Sequence, residues 1–208
     1  MGLVHIELFT TLDLVAQAPG GAEEDSDGFP FGGWQVPMLD EIDGAGVDMA
    51  YEGMDALLLG RRTYDIFAGF WPHQEAGEIG ETAALFNKVP KYVASRGTPD
   101  LSWAGSTHLG PDLVSEVRAL RDRHENVKVI GSLDLVQTLL RERLFDRLDL
   151  LVHPIVLGVG KKVFESGAVP ANLALLAPPV AGPKGAVYLR YGVADGTPTA
   201  VGAPDRSA

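Results

Sequence analysis

Ala56-Leu57-Leu58-Leu59-Gly60-Arg61-Arg62-Thr63-Tyr64 passes from a short apolar run, through a glycine, into a helical pattern continued by Phe67 and Ala68. Four apolar residues ending at a glycine read as a buried strand, Gly60 as a tight turn and Arg61 to Thr63 as the first turn of a helix. The same junction recurs at Val127-Lys-Val-Ile130, where Gly131-Ser132 lead into a helix with Leu135, Val136, Leu139 and Leu140 on one face. Ser132 is the expected N-cap of that helix. A helix N-terminus offers unpaired N–H groups and the positive end of a dipole, and a glycine lets a ligand approach the backbone closely. Two such junctions can clasp a pyrophosphate; either one alone also serves as an ordinary α/β turn, and neither is a GxGxxG.

Outward from these junctions, the pattern stays alternating. Leu3 to Phe9 reads as a strand that runs into Thr10-Thr-Leu-Asp13 and then a long loop dense in Gly, Pro and acids from Pro19 to Phe31. Its aromatic end, Phe29-Pro-Phe-Gly-Gly-Trp34, is expected to fold back onto the body of the protein. Met38, Leu39 and Ile42 recur at helical spacing, and Gly44 and Gly46 predict a break in that helix. Pro90 precedes a strand over Lys91 to Ser95, and Gly110-Pro111 precedes a helix with Leu113, Val117 and Leu120 on one face. Leu148 to Leu157 is strand-like; Pro154 within it predicts an edge position or a bulge. Ala186 to Val193 is the last strand candidate, and the Gly, Pro, Thr, Ala and Ser that follow Asp195 predict a disordered tail over 195–208. A single domain over 1–194 is expected, α/β in class, with a mostly parallel central sheet, helices on both faces and a late antiparallel strand.

The 208 residues suit one substantial core, and 46% hydrophobic against 22% charged residues is ordinary globular composition. Absence of cysteine excludes disulfides, thiolate nucleophiles and cysteine-ligated metals. No apolar run approaches the length of a membrane span, and the opening residues lack a basic start, so a cytoplasmic location is expected. A formal charge of −11 with no Lys/Arg-rich run argues against nucleic-acid binding, so a phosphorylated ligand must find local positive charge at Arg61, Arg62, Arg96, Lys161 or Lys162. The five histidines show no ligand spacing, no metal site is expected, and His153 beside Pro154 reads as structural. Gly158-Val-Gly-Lys-Lys162 lacks the upstream glycine and the Ser/Thr of a P-loop and reads as a turn.

Four blocks, in order and at their spacing, resemble the dihydrofolate reductase-like fold shared with the reductase domain of riboflavin biosynthesis. Leu57 to Asp65 looks like that family's cofactor helix start, Tyr92-Val-Ala-Ser-Arg96 like its adenosine-phosphate strand, and Val129-Ile-Gly-Ser-Leu133 like its second glycine turn. His153 to Phe164 is similar to its closing strand and turn. The resemblance implies a three-layer fold and an NADPH-dependent reductase similar to 5-amino-6-(5-phosphoribosylamino)uracil reductase and dihydrofolate reductase, acting on a small conjugated or heterocyclic substrate. It implies that Gly60, Arg61, Arg62 and Thr63, with Gly131, Ser132 and Leu133, meet the cofactor's phosphates, and that Ser95 and Arg96 meet the adenosine 2′-phosphate. Pairing of guanidinium with phosphate agrees.

Where the family's first strand ends in Leu-Asp-Gly, this chain has Leu12-Asp13-Leu14. Asp13 is the expected catalytic or orienting residue; Asp40 and Glu41 lie in the region of the buried carboxylate that supplies the proton in dihydrofolate reductases. The zinc-binding deaminase half of the riboflavin enzyme is absent from the sequence. Trp34, Phe70 and Trp71 suit either a flat aromatic pocket or ordinary core packing. A homodimer is expected, as is common for this fold, through the apolar strand Leu148 to Val156. The alternative to a reductase is an NADPH-binding sensor or interaction module without turnover.

Overall fold

The computed structural model describes residues 1–25, 27–77, 79–166, 168–196 and 198. Within them one sheet of nine strands runs in the order β4-β3-β2-β5-β1-β6-β9-β7, with β8 also paired to β9. β1 (Leu3–Thr11) lies between β5 (Asn126–Ile130) and β6 (Arg147–His153), parallel to both. β2 (Ala56–Gly60), β3 (Lys91–Ala94) and the short β4 (Ser106–His108) extend the parallel sheet on the β5 side. β9 (Val187–Val193) pairs antiparallel with β6 and carries β7 (Leu173–Leu175) and β8 (Val180–Ala181). The mostly parallel sheet with a late antiparallel strand is the expected architecture.

Period-two alternation decides which helices lie where. Val4, Ile6 and Leu8 of β1, Val127 and Val129 of β5 and Leu148 and Leu150 of β6 share one face. They are covered by Val117 and Leu120 of α4 (Leu113–Arg123) and by Leu135, Val136 and Leu139 of α5 (Leu133–Arg141). On the opposite face Leu57 and Leu59 of β2 pack under Tyr64 of α2 (Arg61–Phe70) and Phe86 of α3 (Gly80–Lys88). Leu151 and Tyr188 pack under Ile42 of α1 (Glu41–Tyr51). The parallel strand β2, buried on both faces, shows the continuous apolar run that such a position demands, whereas β5 interrupts its run with the buried Lys128.

Beside the apolar patch of Leu151 and Tyr188, a buried polar cluster also lies beneath α1. Lys128 Nζ lies 2.6 Å from His5 Nδ1, and Tyr188 donates a 2.8 Å hydrogen bond to Asp149, which is also paired with Arg147. Burial pushes Glu7 up to about 8, helped by the Asp149 charge, and takes His5 down to about 4 and Lys128 to about 8.

Three expectations are corrected. α1 runs unbroken through Gly44 and Gly46; a Cβ at Gly46 would already lie 3.4 Å from the Tyr188 ring, so this glycine lets the helix sit close on β9 rather than ending it. β6 is an interior strand between β1 and β9 that ends at His153, so Pro154 lies just past it and removes no ladder bond. The apolar residues of Leu148 to His153 are accordingly spent inside the subunit and supply no dimer surface. The tail expected to be disordered, 195–208, lies outside the described residues beyond Gly196 and apart from Pro198.

Candidate active site

At the carboxyl ends of β1, β2, β3 and β5, where ligands of open α/β sheets sit, a cleft of about 2180 Å³ crosses the molecule. Its two ends are built differently.

One end is formed by the starts of α2 and α5. Gly131 and Ser132 both take left-handed backbone conformations, φ +58° and +53°. Ser132 occupies the N-cap position of α5, but its side chain does not cap that helix. Its hydroxyl instead accepts a 2.9 Å hydrogen bond from Gly60 N–H and donates one of 3.2 Å to Ile130 O. Its own N–H donates to Thr63 Oγ1 at 3.0 Å. The β2–α2 and β5–α5 turns are therefore pinned side by side, with both helix N-termini open to the cleft. Arg61 pairs with Asp65 one turn on, and Arg62 pairs with Asp27 of the long loop; both pairs are exposed, where such contacts contribute little. Gly60, Arg61, Arg62, Thr63, Ser95, Arg96, Gly131, Ser132 and Leu133 all line this cleft.

Asp13 does not line it. Its carboxylate accepts from Thr11 Oγ1 at 2.6 Å, Gly158 N–H at 3.0 Å and Leu157 N–H at 3.2 Å, with Lys162 Nζ at 3.4 Å. The Thr11 hydroxyl above all, with these N–H groups and Lys162, holds it far below the ordinary carboxylate range. In this position Asp13 fastens the end of β1 to the turn after β6. Asp40 and Glu41 also serve structure: Asp40 caps α1, accepting from Ile42 N–H at 2.9 Å and Lys184 N–H at 2.8 Å, and Glu41 is an exposed first-turn acid.

Among the acids of the cleft lining, Asp40 included, the buried one is Asp43, which sequence reasoning missed. It closes a capping box with Asp40, whose N–H it accepts at 2.8 Å, and its other oxygen accepts from Gln35 Nε2 at 2.9 Å and lies 3.0 Å from His153 Nε2. Burial raises its pKa, but the bonds from His153, Asp40 and Gln35 together outweigh that and leave it below its ordinary value. His153 is fully buried; a proton on Nε2 directed at Asp43 leaves Nδ1 without a partner among the described residues. Trp34 folds back as expected, donating to Gln17 O at 2.9 Å and standing edge-on to His153 at 5.5 Å, and is not a cleft wall. The available signal was the spacing Asp40-x-x-Asp43 followed by Val47 and Tyr51, which puts 43, 47 and 51 on one helical face. Opposite them stand Phe67, Phe70 and Trp71.

A family described as the RibD C-terminal domain matches residues 3–178. The chain belongs to that family. A curated relative, "Uncharacterized protein YyaP" of Bacillus subtilis (strain 168), is 27% identical over 113 residues, 53% of this chain and 60% of that protein's length. A solved structure described as a putative riboflavin biosynthesis protein from Shewanella sp. PV-4 superposes with a TM-score of 0.65 at 17% identity, covering 93% of this chain and 99% of that one. Dihydrofolate reductase from Enterococcus faecalis, complexed with NADP(H), superposes with a TM-score of 0.56 at 18% identity, covering 93% and 98%. The fold is dihydrofolate reductase-like, and no helix among the described residues is long and apolar enough to cross a membrane.

Proposed function

We propose that this member of the RibD C-terminal domain family is an NADPH-dependent reductase of a small conjugated or heterocyclic compound. The observation that carries the reading is the pinning of two helix N-termini against each other by Ser132 at the cleft wall. Paired N-termini suit a pyrophosphate, and a Cβ at Gly131 would stand over the Thr63 side chain at 3.6 Å, so the glycine keeps the floor of that cradle clear. The residues present fit the group: Gly60 to Thr63 and Gly131 to Leu133 would hold the phosphates, and Ser95 and Arg96 the adenosine 2′-phosphate, which favours NADPH over NADH.

NADPH, when bound, supplies the hydride. The chain's own part is to hold the reacting partners in register and to fix a carboxylate, Asp43, in the other half of the cleft as an acceptor for substrate N–H groups. Because three hydrogen bonds keep Asp43 ionised, it orients substrate; the proton that accompanies hydride transfer comes from another source, for which water entering the open cleft suffices. The same observation favours a second reading, binding of NADPH without turnover, because the buried acid of the cleft lining is not poised to donate. Calorimetric titration with NADPH and NADH, followed by NADPH oxidation across a panel of conjugated carbonyl and heterocyclic compounds, separates the two. NADPH preference with turnover is the expected result; equal affinities remove the Arg96 assignment, and NADPH binding with no turnover leaves the sensor.

A further inference from the structure

The half of the cleft that faces Asp43 is made by α1 on one side and by α2 with the residues after it on the other. α1 contributes Asp43, Val47 and Tyr51 on successive turns, and Phe67, Phe70 and Trp71 stand across from them. Trp71 packs edge-on against Phe86 at 4.7 Å and against Phe70 at 5.2 Å, so these rings form a supported wall. Rings in this arrangement accept the face or edge of another flat ring.

The charge of this chamber is one-sided. Apart from Arg61 and Arg62, the first 87 residues of the chain contain no lysine or arginine. The Lys and Arg residues that line the cleft, among the described residues, are Arg61, Arg62, Arg96 and Lys161. Of these, Arg61, Arg62 and Arg96 are the cations assigned above to the cofactor's phosphates, and Lys161 is paired with Asp134 at 3.0 Å. Asp48 and Glu81 add carboxylates to the cleft lining beside Asp43. A phosphate dianion in this half would lose its hydration and meet like charge, with no guanidinium to replace the water. A cation would gain from both the carboxylates and the ring faces.

We propose that the substrate of this chain is a flat, apolar-bodied ring, uncharged or cationic, that carries no phosphate. This rests on the reading that the cleft is a reductase site, and it separates the chain from a reductase of 5-amino-6-(5-phosphoribosylamino)uracil, whose substrate needs compensation for a phosphate that the α1–α2 chamber does not offer. The walls select the ring and Asp43 selects the charge.

Gly44 supplies a variant that tests the place without disturbing the fold. It lines the cleft on α1, and a Cβ there would meet nothing within 4 Å. Leucine at this position improves helix propensity while projecting into the chamber. The probes are three naphthalenes of one ring and three charges: 1-naphthylmethylammonium, 1-naphthylmethanol and 1-naphthylmethyl phosphate. Each is titrated by calorimetry into the protein saturated with NADP+, whose phosphates fill the cradle at Gly60 to Thr63 and Gly131 to Leu133, and NADPH is titrated separately into the same preparations before NADP+ is added. The expected result is binding of the cation and the alcohol at least tenfold tighter than the phosphate. Gly44→Leu should weaken the two binders at least tenfold and leave NADPH affinity within twofold, and Asp43→Asn should narrow the gap between cation and phosphate. Tightest binding by the phosphate, binding indifferent to Gly44→Leu, or no binding by any probe at millimolar concentration overturns the proposal. Loss of NADPH binding in the wild type would instead strike the reductase reading and leave the probe result to stand by itself.

Discussion

The two ends of the cleft differ in how they are assembled. The α2/α5 end is made of consecutive residues at two turns, Gly60 to Thr63 and Gly131 to Leu133, joined by the two hydrogen bonds between Ser132 and Gly60 or Thr63. The α1 end is made of residues one helical turn apart, Asp43, Val47 and Tyr51, with the Asp43 carboxylate steadied by Gln35 just before the helix and by His153 from the distant end of β6. A backbone cradle depends on glycine and dihedral angles; a side-chain chamber depends on packing and on satisfying a buried charge. Substitutions should therefore separate ligand binding from stability at the first end and couple them at the second.

The sharpest way to break this contrast is at Gly131. With φ at +58°, any other residue there costs about 1–2 kcal/mol of backbone energy. Gly131→Ala and Gly131→Asp should therefore lower the melting temperature of the ligand-free protein by similar amounts, the acid being somewhat better tolerated in this conformation. NADPH affinity should separate them: the aspartate sets a negative charge against the phosphates and should weaken binding at least about a hundredfold, whereas alanine should weaken it far less. Equal losses in the two variants, measured by calorimetry, would show that the glycine only makes a turn.

Next in size is Arg96. Its replacement by alanine removes a charge-assisted contact of about 1.5–3 kcal/mol, so the preference for NADPH over NADH should shrink by roughly ten- to a hundredfold without a change in melting temperature. An unchanged preference would place the 2′-phosphate elsewhere.

At the other end Asp43→Ala should cost stability as well as ligand. It leaves Gln35 and the buried His153 without their acceptor, a loss of about 1–3 kcal/mol. Because the Asp43 pKa is lowered by folding, its contribution is present above the ordinary carboxylate range and is lost as pH falls through its folded value. The wild type should therefore lose stability relative to Asp43→Asn on acidification below about pH 4, and parallel denaturation curves there would contradict the hydrogen-bond account.

At Glu7, under α1 and away from the cleft lining, the expected effect is on stability alone. Its folded-state pKa is raised to about 8, mainly by burial, so the folded chain holds a proton that the unfolded chain releases. Stability from this group is present at low pH and is lost as pH rises from the ordinary carboxylate value through about 8. Lys128, His5, Asp149, Arg147 and Tyr51 share the cluster, and the comparison with Glu7→Gln isolates the carboxyl from them. The variant should overtake the wild type in melting temperature between pH 6.5 and 8.5; curves that stay parallel would place the ionised carboxylate in the folded protein.

The same contrast explains what was legible in the sequence. Gly60 and Gly131 announce themselves because a strand, a glycine and a helix start occupy neighbouring positions. The mostly parallel sheet with its late antiparallel strand was implied by the family resemblance and by the alternation of elements, whereas the order of the strands comes from their long-range pairing. Asp43 was obscured because Asp40 and Glu41 are equally plausible acids in the same stretch, and only the folded helix shows that Asp43 is the buried one, while Asp40 reaches the cleft lining as the helix cap. The placement of Asp13 was not legible for a related reason: an acid at the end of β1 points toward the site in one loop conformation and toward the turn at Leu157 and Gly158 in another, and two backbone N–H donors hold it in the second. Pro154 reads as an edge signal only if the strand continues through it, and β6 stops one residue earlier. Short elements such as β4, β7 and β8 carry too few residues to show a period, so only their long-range pairing defines them.

The central claim, that a nicotinamide dinucleotide lies across the two glycine junctions, is tested most directly by following backbone amide resonances of the protein during titration with NADPH. The amides of Gly60 to Thr63 and of Gly131 to Leu133 should shift together with one apparent Kd, while those of β7 and β8 at the far side of the sheet stay in place. Shifts confined to other parts of the molecule, or none at millimolar NADPH, would contradict it.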